Sequence, residues 1–353
     1  NDISLSLVLI NNSSKEQELY LSIINPTIDK IIITDDSTTT VLGDLISFYK
    51  RDIKHYNHVY PLALAANGKK SITIEVLKQW QAMNVRINLS SQNTFIKTTN
   101  HDNFFMGILF GILFMYFLLL ICFYIFSKSN FFTIYISINF FMLLLIFQYS
   151  GTGFQYIWFY STTVQKYITM FATLGYLMSH VYFIRTFFAI QFKNNFSGLV
   201  LKVLAYIFVL FGILFLFQLF NHSIGYFHTY LFYILFNSLF LVYGLMVMAL
   251  SVYSYKISKQ REVLWVLVGM IFHLLNWMLF INNEFGIFKP LNFLDNLKLF
   301  PSFIFVPQLN YLITLLEIFV ITIFISINYH KLIRQNNIST QRLDFLQKRN
   351  INT

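Results

Sequence analysis

The stretch Phe104-Phe-Met-Gly-Ile-Leu-Phe-Gly-Ile-Leu-Phe-Met-Tyr-Phe-Leu-Leu-Leu-Ile-Cys-Phe-Tyr-Ile-Phe126 carries no charge from end to end. A bilayer's hydrocarbon core is roughly 30 Å thick, and about 20 helical residues at ~1.5 Å rise cross it. Lipid offers the backbone no hydrogen bonds, so such a run is predicted to be a helix rather than an open strand. Similar apolar runs follow at about 131–149, 167–190, 199–220, 227–253, 263–281 and 309–329. The fold class read from this pattern is a multi-domain membrane protein. Its residues 101–330 form an all-α bundle of seven transmembrane helices, and 331–353 a short cytoplasmic linker helix.

Composition agrees: 56% of residues are hydrophobic, 19% aromatic and only 11% charged, far from the usage of a soluble domain. The net charge of +10 is unevenly placed, because residues 1–103 hold ten Lys/Arg and ten Asp/Glu. A nucleic-acid binder concentrates basic residues on its soluble part; here that part is neutral, so nucleic acid is not expected as a partner. The excess instead marks orientation. Lys128, Lys193 and the group Lys256, Lys259 and Arg261 fall in alternate loops, and Lys331, Arg334, Arg342, Lys348 and Arg349 in the tail. The positive-inside rule puts that tail in the cytoplasm and, across seven spans, residues 1–100 outside. Cys122 is the sole cysteine, so no intrachain disulfide forms. For an exported domain this fits a bacterial periplasm, and hence the bacterial inner membrane, better than an animal cell surface. An outside domain needs an export signal, and none follows Asn1, so one is expected to have been removed unless the chain is an excerpt.

Before Phe104 the hydrophobic period changes to two. Ile72, Ile74 and Val76 alternate with Ser71, Thr73 and Glu75, and Met83, Val85, Ile87 and Leu89 alternate likewise. Ile3, Leu5, Leu7 and Leu9 repeat the pattern, as do Leu19, Leu21 and Ile23. Period two over short runs means half-buried strands, so residues 1–100 read as an all-β sandwich of about seven or eight strands. Asn67-Gly68 is expected to form a hairpin turn between Leu62–Leu64 and Ile72–Val76. Pro61, without an N–H, is expected at an edge or strand start.

Several stretches carry a resemblance to a known family. They are Leu21-Ser-Ile-Ile-Asn-Pro-Thr-Ile-Asp-Lys-Ile31, Gly43-Asp44 leading to Arg51, Tyr60-Pro-Leu-Ala-Leu64 and Ser71-Ile-Thr-Ile-Glu-Val76. In the apolar part they are Gly151-Thr-Gly-Phe-Gln-Tyr-Ile-Trp158, Tyr182-Phe-Ile-Arg-Thr-Phe-Phe188 and Leu316-Glu317. In this order they resemble the bacterial seven-transmembrane receptors with diverse intracellular signalling modules (7TMR-DISM). The exported part is similar to that family's second type of extracellular domain, a jelly roll like carbohydrate-binding modules. The family's domain usually starts a strand or two before the position of Asn1, which leaves an incomplete sandwich open. The resemblance implies a periplasmic sensor domain coupled to a cytoplasmic signalling module, which is absent from this chain. No ATP-binding Gly-rich box or phospho-acceptor His motif appears in 336–353, so the chain is not expected to be an enzyme.

Candidate site residues fall in two groups. Arg51, Tyr56, Tyr60 and Trp80 offer a cation and aromatic faces to a sugar-like or acidic small molecule. Arg185 and Glu317 are charges within spans, where a charge costs several kcal/mol and is usually buried against a partner. Glu317 with His180, His273 or Asn276 reads either as a polar switch or as a fixed packing hydrogen bond, and Arg185 either shares that role or snorkels to the headgroups. No cofactor is expected: the intramembrane histidines lack the paired spacing of haem ligands. His55 and His58 lack a third and fourth metal ligand and read as a solvated loop. Tyr156, Trp158 and Tyr160 read as an interfacial aromatic belt.

The function expected is a signal receptor binding a periplasmic small molecule or glycan and acting through its last helix, across a homodimer. The alternative is a small-molecule transporter or permease, against which the positions of Pro26, Pro61, Pro290, Pro301 and Pro307 outside the middle of any span argue. A retinal pump needs a Lys in the last span, and 309–329 has none.

Overall fold

The computed structural model describes residues 2–36, 38–77, 85–128, 130–191, 199, 202–203, 205–210, 212–214, 226–259, 262–285, 316, 320 and 323. The chain divides into two compact units, Asn1–Ser238 with Ile281–Pro307, and Leu239–Phe280 with Gln308–Thr353.

The N-terminal part of the first unit is a sandwich of two antiparallel sheets. Its strands are β1 (Asp2–Ile10), β2 (Gln17–Ile24), β3 (Lys30–Asp35), β4 (Thr39–Leu42), β5 (His58–Leu64), β6 (Lys69–Leu77) and β7 (Arg86–Ser91). One sheet has the order β1-β6-β3-β4 and the other β5-β2-β7. Alternation decides which side chains close the core. Ile72, Ile74 and Val76 of β6 face Ile31 and Ile33 of β3, and from the other sheet Leu21, Ile23, Tyr60 and Leu62 complete it. Leu7, Leu9 and Ile87 pack against this core while Ile3, Leu5 and Leu89 are exposed. The strands named from the alternation therefore follow the periodicity of the sequence, with Met83 outside the described residues. Pro61 lies on β5, an edge strand, where its missing N–H breaks no inner ladder.

One local expectation is corrected. Asn67 adopts φ 51°, as a tight turn demands, but the turn is not a hairpin. Strand β5 pairs with β2, whereas β6 pairs with β1 and β3, so Asn67-Gly68 carries the chain from one sheet to the other. The crossing is held from the neighbouring β1–β2 loop. The Asn11 side-chain amide donates to the carbonyls of Lys15 (2.8 Å), Leu64 (3.2 Å) and Ala65 (2.9 Å), and its Oδ1 accepts from the N–H and Oγ of Ser13. Hairpin chemistry alone does not reveal this, because the same positive φ serves any tight corner.

Helices follow: α1 (Gln92–Ser127), α2 (Asn130–Tyr149), α3 (Thr152–Tyr156) and α4 (Thr162–Gln191), then α5 (Tyr226–Ser258) and α6 (Glu262–Phe285). Among the described residues, three stretches are long and apolar enough to cross a membrane: Gln92–Ser127, Phe132–Tyr149 and Tyr167–Thr186. Shorter apolar helical stretches are Ala205–Leu214, Leu241–Lys256 and Val263–Phe272. The last run, about 309–329, and the linker helix 331–353 lie outside the described residues except for Leu316, Val320 and Ile323. In the second unit Gly244 of α5 admits Leu274 of α6, since a Cβ there would sit 2.4 Å from Leu274 Cδ2.

Helix α1 begins well before the apolar run and ahead of the sequence boundary at residue 100. Ser91 ends β7 and also caps α1, its side chain accepting the Thr94 N–H. The polar segment from Gln92 to Asn103 has weak helix propensity, but it extends a helix already nucleated by the apolar span. Thirty-six residues make α1 about 54 Å long, so its first turns stand clear of a bilayer. Asn11→Ala should lower sandwich stability by about 2–3 kcal/mol, because it orphans buried carbonyls; pulse proteolysis of the full chain in urea, followed at the β-sandwich, measures this.

Candidate functional site at the sandwich–helix junction

The loop between β4 and β5 and the segment between α2 and α4 meet around one buried cation. The route starts at Gly43, whose φ of +128° and tight approach to the Asp29 carbonyl (2.4 Å for an added Cβ) admit only glycine. That turn presents the Asp44 N–H to the Ile28 carbonyl at 2.8 Å and turns its carboxylate inward. Phe48–Lys50 form one 3-10 turn, and Arg51 follows it. Arg51 is 3% exposed. Its guanidinium pairs with Asp44 Oδ1 at 3.5 Å, donates to the carbonyls of His55 and Gly43, and lies over the rings of Phe48 (5.1 Å) and Phe154 (5.2 Å). Burial brings its pKa down to about 10 despite the nearby Asp44.

Phe154 belongs to α3, so the cation joins the sandwich to the helical part. The contact continues through polar atoms. Asp44 Oδ2 accepts from Gln165 Nε2 of α4 at 2.8 Å, and Gln165 Oε1 accepts from Trp158 Nε1 at 2.7 Å. Gln148 at the end of α2 donates to the Gln165 carbonyl at 3.2 Å, and Ser47 Oγ donates to the Phe159 carbonyl at 3.1 Å. Around this chain, Phe48, Phe154 and Trp158 form an apolar cluster with Leu144 and Phe147 of α2 and Ile168 of α4. Two glycines make the fit possible. Gly151 takes φ +74°, and an added Cβ would stand 2.6 Å from Pro26 and 2.9 Å from the Tyr56 carbonyl; at Gly153 it would strike the Trp158 ring at 2.2 Å.

A second contact joins the sandwich to α1. Tyr20 of β2 stacks on Phe95 at 4.7 Å. The Tyr56 hydroxyl donates to Asp102 Oδ2 at 2.9 Å, His55 Nε2 lies 3.3 Å from Thr99 Oγ1, and the His55 ring packs against Tyr56 and Phe95. His55 Nδ1 accepts the Asn57 N–H at 3.0 Å, so the neutral ring carries its proton on Nε2, facing Thr99. His55 is 6% exposed and His58 is fully enclosed, which corrects the solvated-loop reading. Burial pulls His55 down to about 4, with the Arg51 charge adding to it, and holds His58 well below the ordinary imidazole range. Burial raises the Asp102 carboxyl from its ordinary value, against the Tyr56 hydrogen bond. Among the described residues no three His, Cys, Asp or Glu gather to hold a metal ion.

The residues named from sequence are thus distributed as follows. Arg51 and Tyr56 both belong to the junction. Tyr60 faces elsewhere, its hydroxyl donating to Asp35 Oδ2 at 2.9 Å, where Lys70 pairs with Asp35 at 2.7 Å. Trp80 lies outside the described residues, as does Glu317. His180 is buried in α4 with its ring near Tyr176 and Phe183. His273 and Asn276 lie on α6 with their side chains outside the described residues, and Arg185 is exposed on α4. Trp158 is buried as a hydrogen-bond donor and so leaves the aromatic belt, in which Tyr156 and Tyr160 are exposed. Gln165, Thr99 and Asp102 went unnoticed because a single polar residue near a span end carries no pattern of its own.

A seven-stranded antiparallel sandwich thus precedes a helical region in which, among the described residues, three stretches are long and apolar enough to cross a membrane. Residues 3–91 are a 7TMR-DISM extracellular 2 domain, matching that family's model over this stretch. Comparison with curated proteins and with solved structures returned no match. The extracellular domain and the apolar helices are consistent with a membrane protein whose N-terminal domain is periplasmic.

Two outcomes follow from the junction. Asp44→Asn leaves the Arg51 cation uncompensated and should cost on the order of 3 kcal/mol; adding Arg51→Met should recover most of that in thermal unfolding of the purified chain. The pH response has a fixed sign. His55 is depressed when docked, so its contribution is complete above pH ~6.5 and is lost as pH falls towards 4, by up to about 3 kcal/mol. Trp158-weighted fluorescence against pH should show this loss between those limits, and His55→Gln should flatten it.

Proposed function

We propose that this chain is a transmembrane signal receptor of the bacterial inner membrane. Its periplasmic sandwich passes a binding event to a bundle of seven helices and thence to a cytoplasmic signalling module. The observation that carries this reading is the unbroken buried route Arg51–Asp44–Gln165–Trp158, alongside the direct run of β7 into α1. A merely tethered domain needs a flexible linker; a sensor needs a stiff one. A ligand that binds one arrangement of the sandwich more tightly biases the helices packed against it, by no more than its difference in affinity for the two arrangements.

In this reading the chain itself catalyses nothing. The ligand is a small molecule or glycan, the positively charged tail faces the cytoplasm, and a homodimer relays the change to the signalling module. Arg51 and Tyr56 act as coupling residues, because the two terminal guanidinium nitrogens of Arg51 and the Tyr56 hydroxyl are already engaged within the protein.

The test fuses a kinase-driven transcriptional reporter after Thr353. Gln165→Leu is expected to shift the reporter's basal output or abolish its response to periplasmic extract, at unchanged membrane abundance. Identical output from both chains, together with solute uptake by proteoliposomes holding the purified protein, overturns the receptor reading in favour of transport.

A further inference from the structure

The sandwich has an exposed aromatic corner that none of the contacts above employs. Tyr49, on the 3-10 turn, is 64% exposed and stacks on Tyr160, 68% exposed, with ring centroids 5.4 Å apart. Lys54 donates to the carbonyls of Tyr49 and Arg51 and lies 5.3 Å over the Tyr49 ring, so the turn is braced from behind. Lys50 and Leu45 are exposed on the same loop.

What Tyr160 leads into identifies the occupant. Ser161 caps α4, its Oγ accepting the Val164 N–H. Beyond it Val164, Phe171 and Tyr182 are all exposed. Their spacings of seven and eleven residues are about two and three helical turns, so they form one stripe along α4. The stripe enters the apolar stretch Tyr167–Thr186, where Phe171 and Tyr182 are exposed and, on the membrane reading, face lipid. Tyr160 stands within about two turns of the start of that stretch. Tyrosine at that depth places its ring among headgroups with its hydroxyl towards water.

We infer that Tyr49, stacked on Tyr160 at the outer end of the lipid-facing stripe of α4, seats the sandwich on the phospholipid headgroup layer. The partner is the lipid surface itself: Tyr49 and Leu45 insert among headgroups, and Lys50 faces their phosphates. The sandwich is thereby held on three sides, by α1, by the α3 segment and by the bilayer. The inference rests on the membrane reading given above.

The test places bimane labels on the full chain in two sets of nanodiscs, one containing nitroxide-headgroup lipid and one acyl-chain nitroxide lipid, in a Cys122→Ala background because Cys122 is the one native thiol. Labels go at Tyr49→Cys, Lys50→Cys, Phe171→Cys and Ala66→Cys. Position 50 leaves the tyrosine stack intact and so covers misfolding of the first variant. Ala66 lies just beyond the opposite end of β5 from the junction. Loss of emission at 50, and at 49 where that variant folds, with Ala66→Cys unaffected, is the expected result. Loss at 171 to acyl-chain nitroxide without loss at 50 overturns the headgroup contact and leaves the membrane reading standing. No loss at 171 overturns both, and equal loss at 66 overturns the localisation to this corner.

Discussion

A guanidinium cannot leave water cheaply. Arg51 does so only because one carboxylate, two carbonyls and two aromatic faces are assembled around it, and every one of those groups depends on a further local feature. Asp44 is aimed by the strained turn at Gly43. Phe154 is brought up by Gly151 and Gly153, whose missing side chains let α3 touch Pro26 and receive Trp158. Asp44 in turn fixes Gln165, and Gln165 fixes Trp158. A buried ion pair is weak as a source of stability but demanding in geometry. It suits a joint that must adopt one defined arrangement, because a small displacement leaves charge unpaired.

The joint has two sides with different chemistry. Towards α3 and α4 it is charged and tightly bonded. Towards α1 it is largely aromatic, built from Tyr20 on Phe95 and His55 between Tyr56 and Phe95, with the Tyr56 hydroxyl on the Asp102 carboxylate. This side depends on His55 held without its proton, near the fixed Arg51 charge. The sandwich thus touches its helices through one contact built on a buried ion pair and one that carries a buried, uncharged histidine.

Much of this architecture was legible before any coordinates. Alternation in 71–76 and 19–23 marked buried strands because a half-buried sheet leaves a period of two. The uncharged run 104–126 marked a helix because lipid permits little else. The two stretches Gly43-Asp44…Arg51 and Gly151…Trp158 were recognised separately; that they close on each other is a tertiary fact with no local signature. Arg51 looked like a ligand-binding cation for the same reason. Its residue type shows charge, but only the fold shows that the charge is already neutralised by Asp44. Asn67-Gly68 failed as a hairpin because a turn's dihedrals do not say which strands it joins. Trp158 was assigned to a belt from its place beside Tyr156 and Tyr160, and the indole N–H instead found Gln165.

Strand order imposes a sequence of events on the nascent chain. The middle strand of one sheet, β2, needs β7 on one flank, and β1 needs β6, which lies far along the chain. Such distant pairings close late because loop entropy must first be overcome. Delivered amino end first, the polypeptide cannot finish its head until residues 86–91 have emerged, and these are followed at once by Gln92 and the first greasy helix. Closure of the head is consequently tied to the arrival of that helix, because no residue separates β7 from α1.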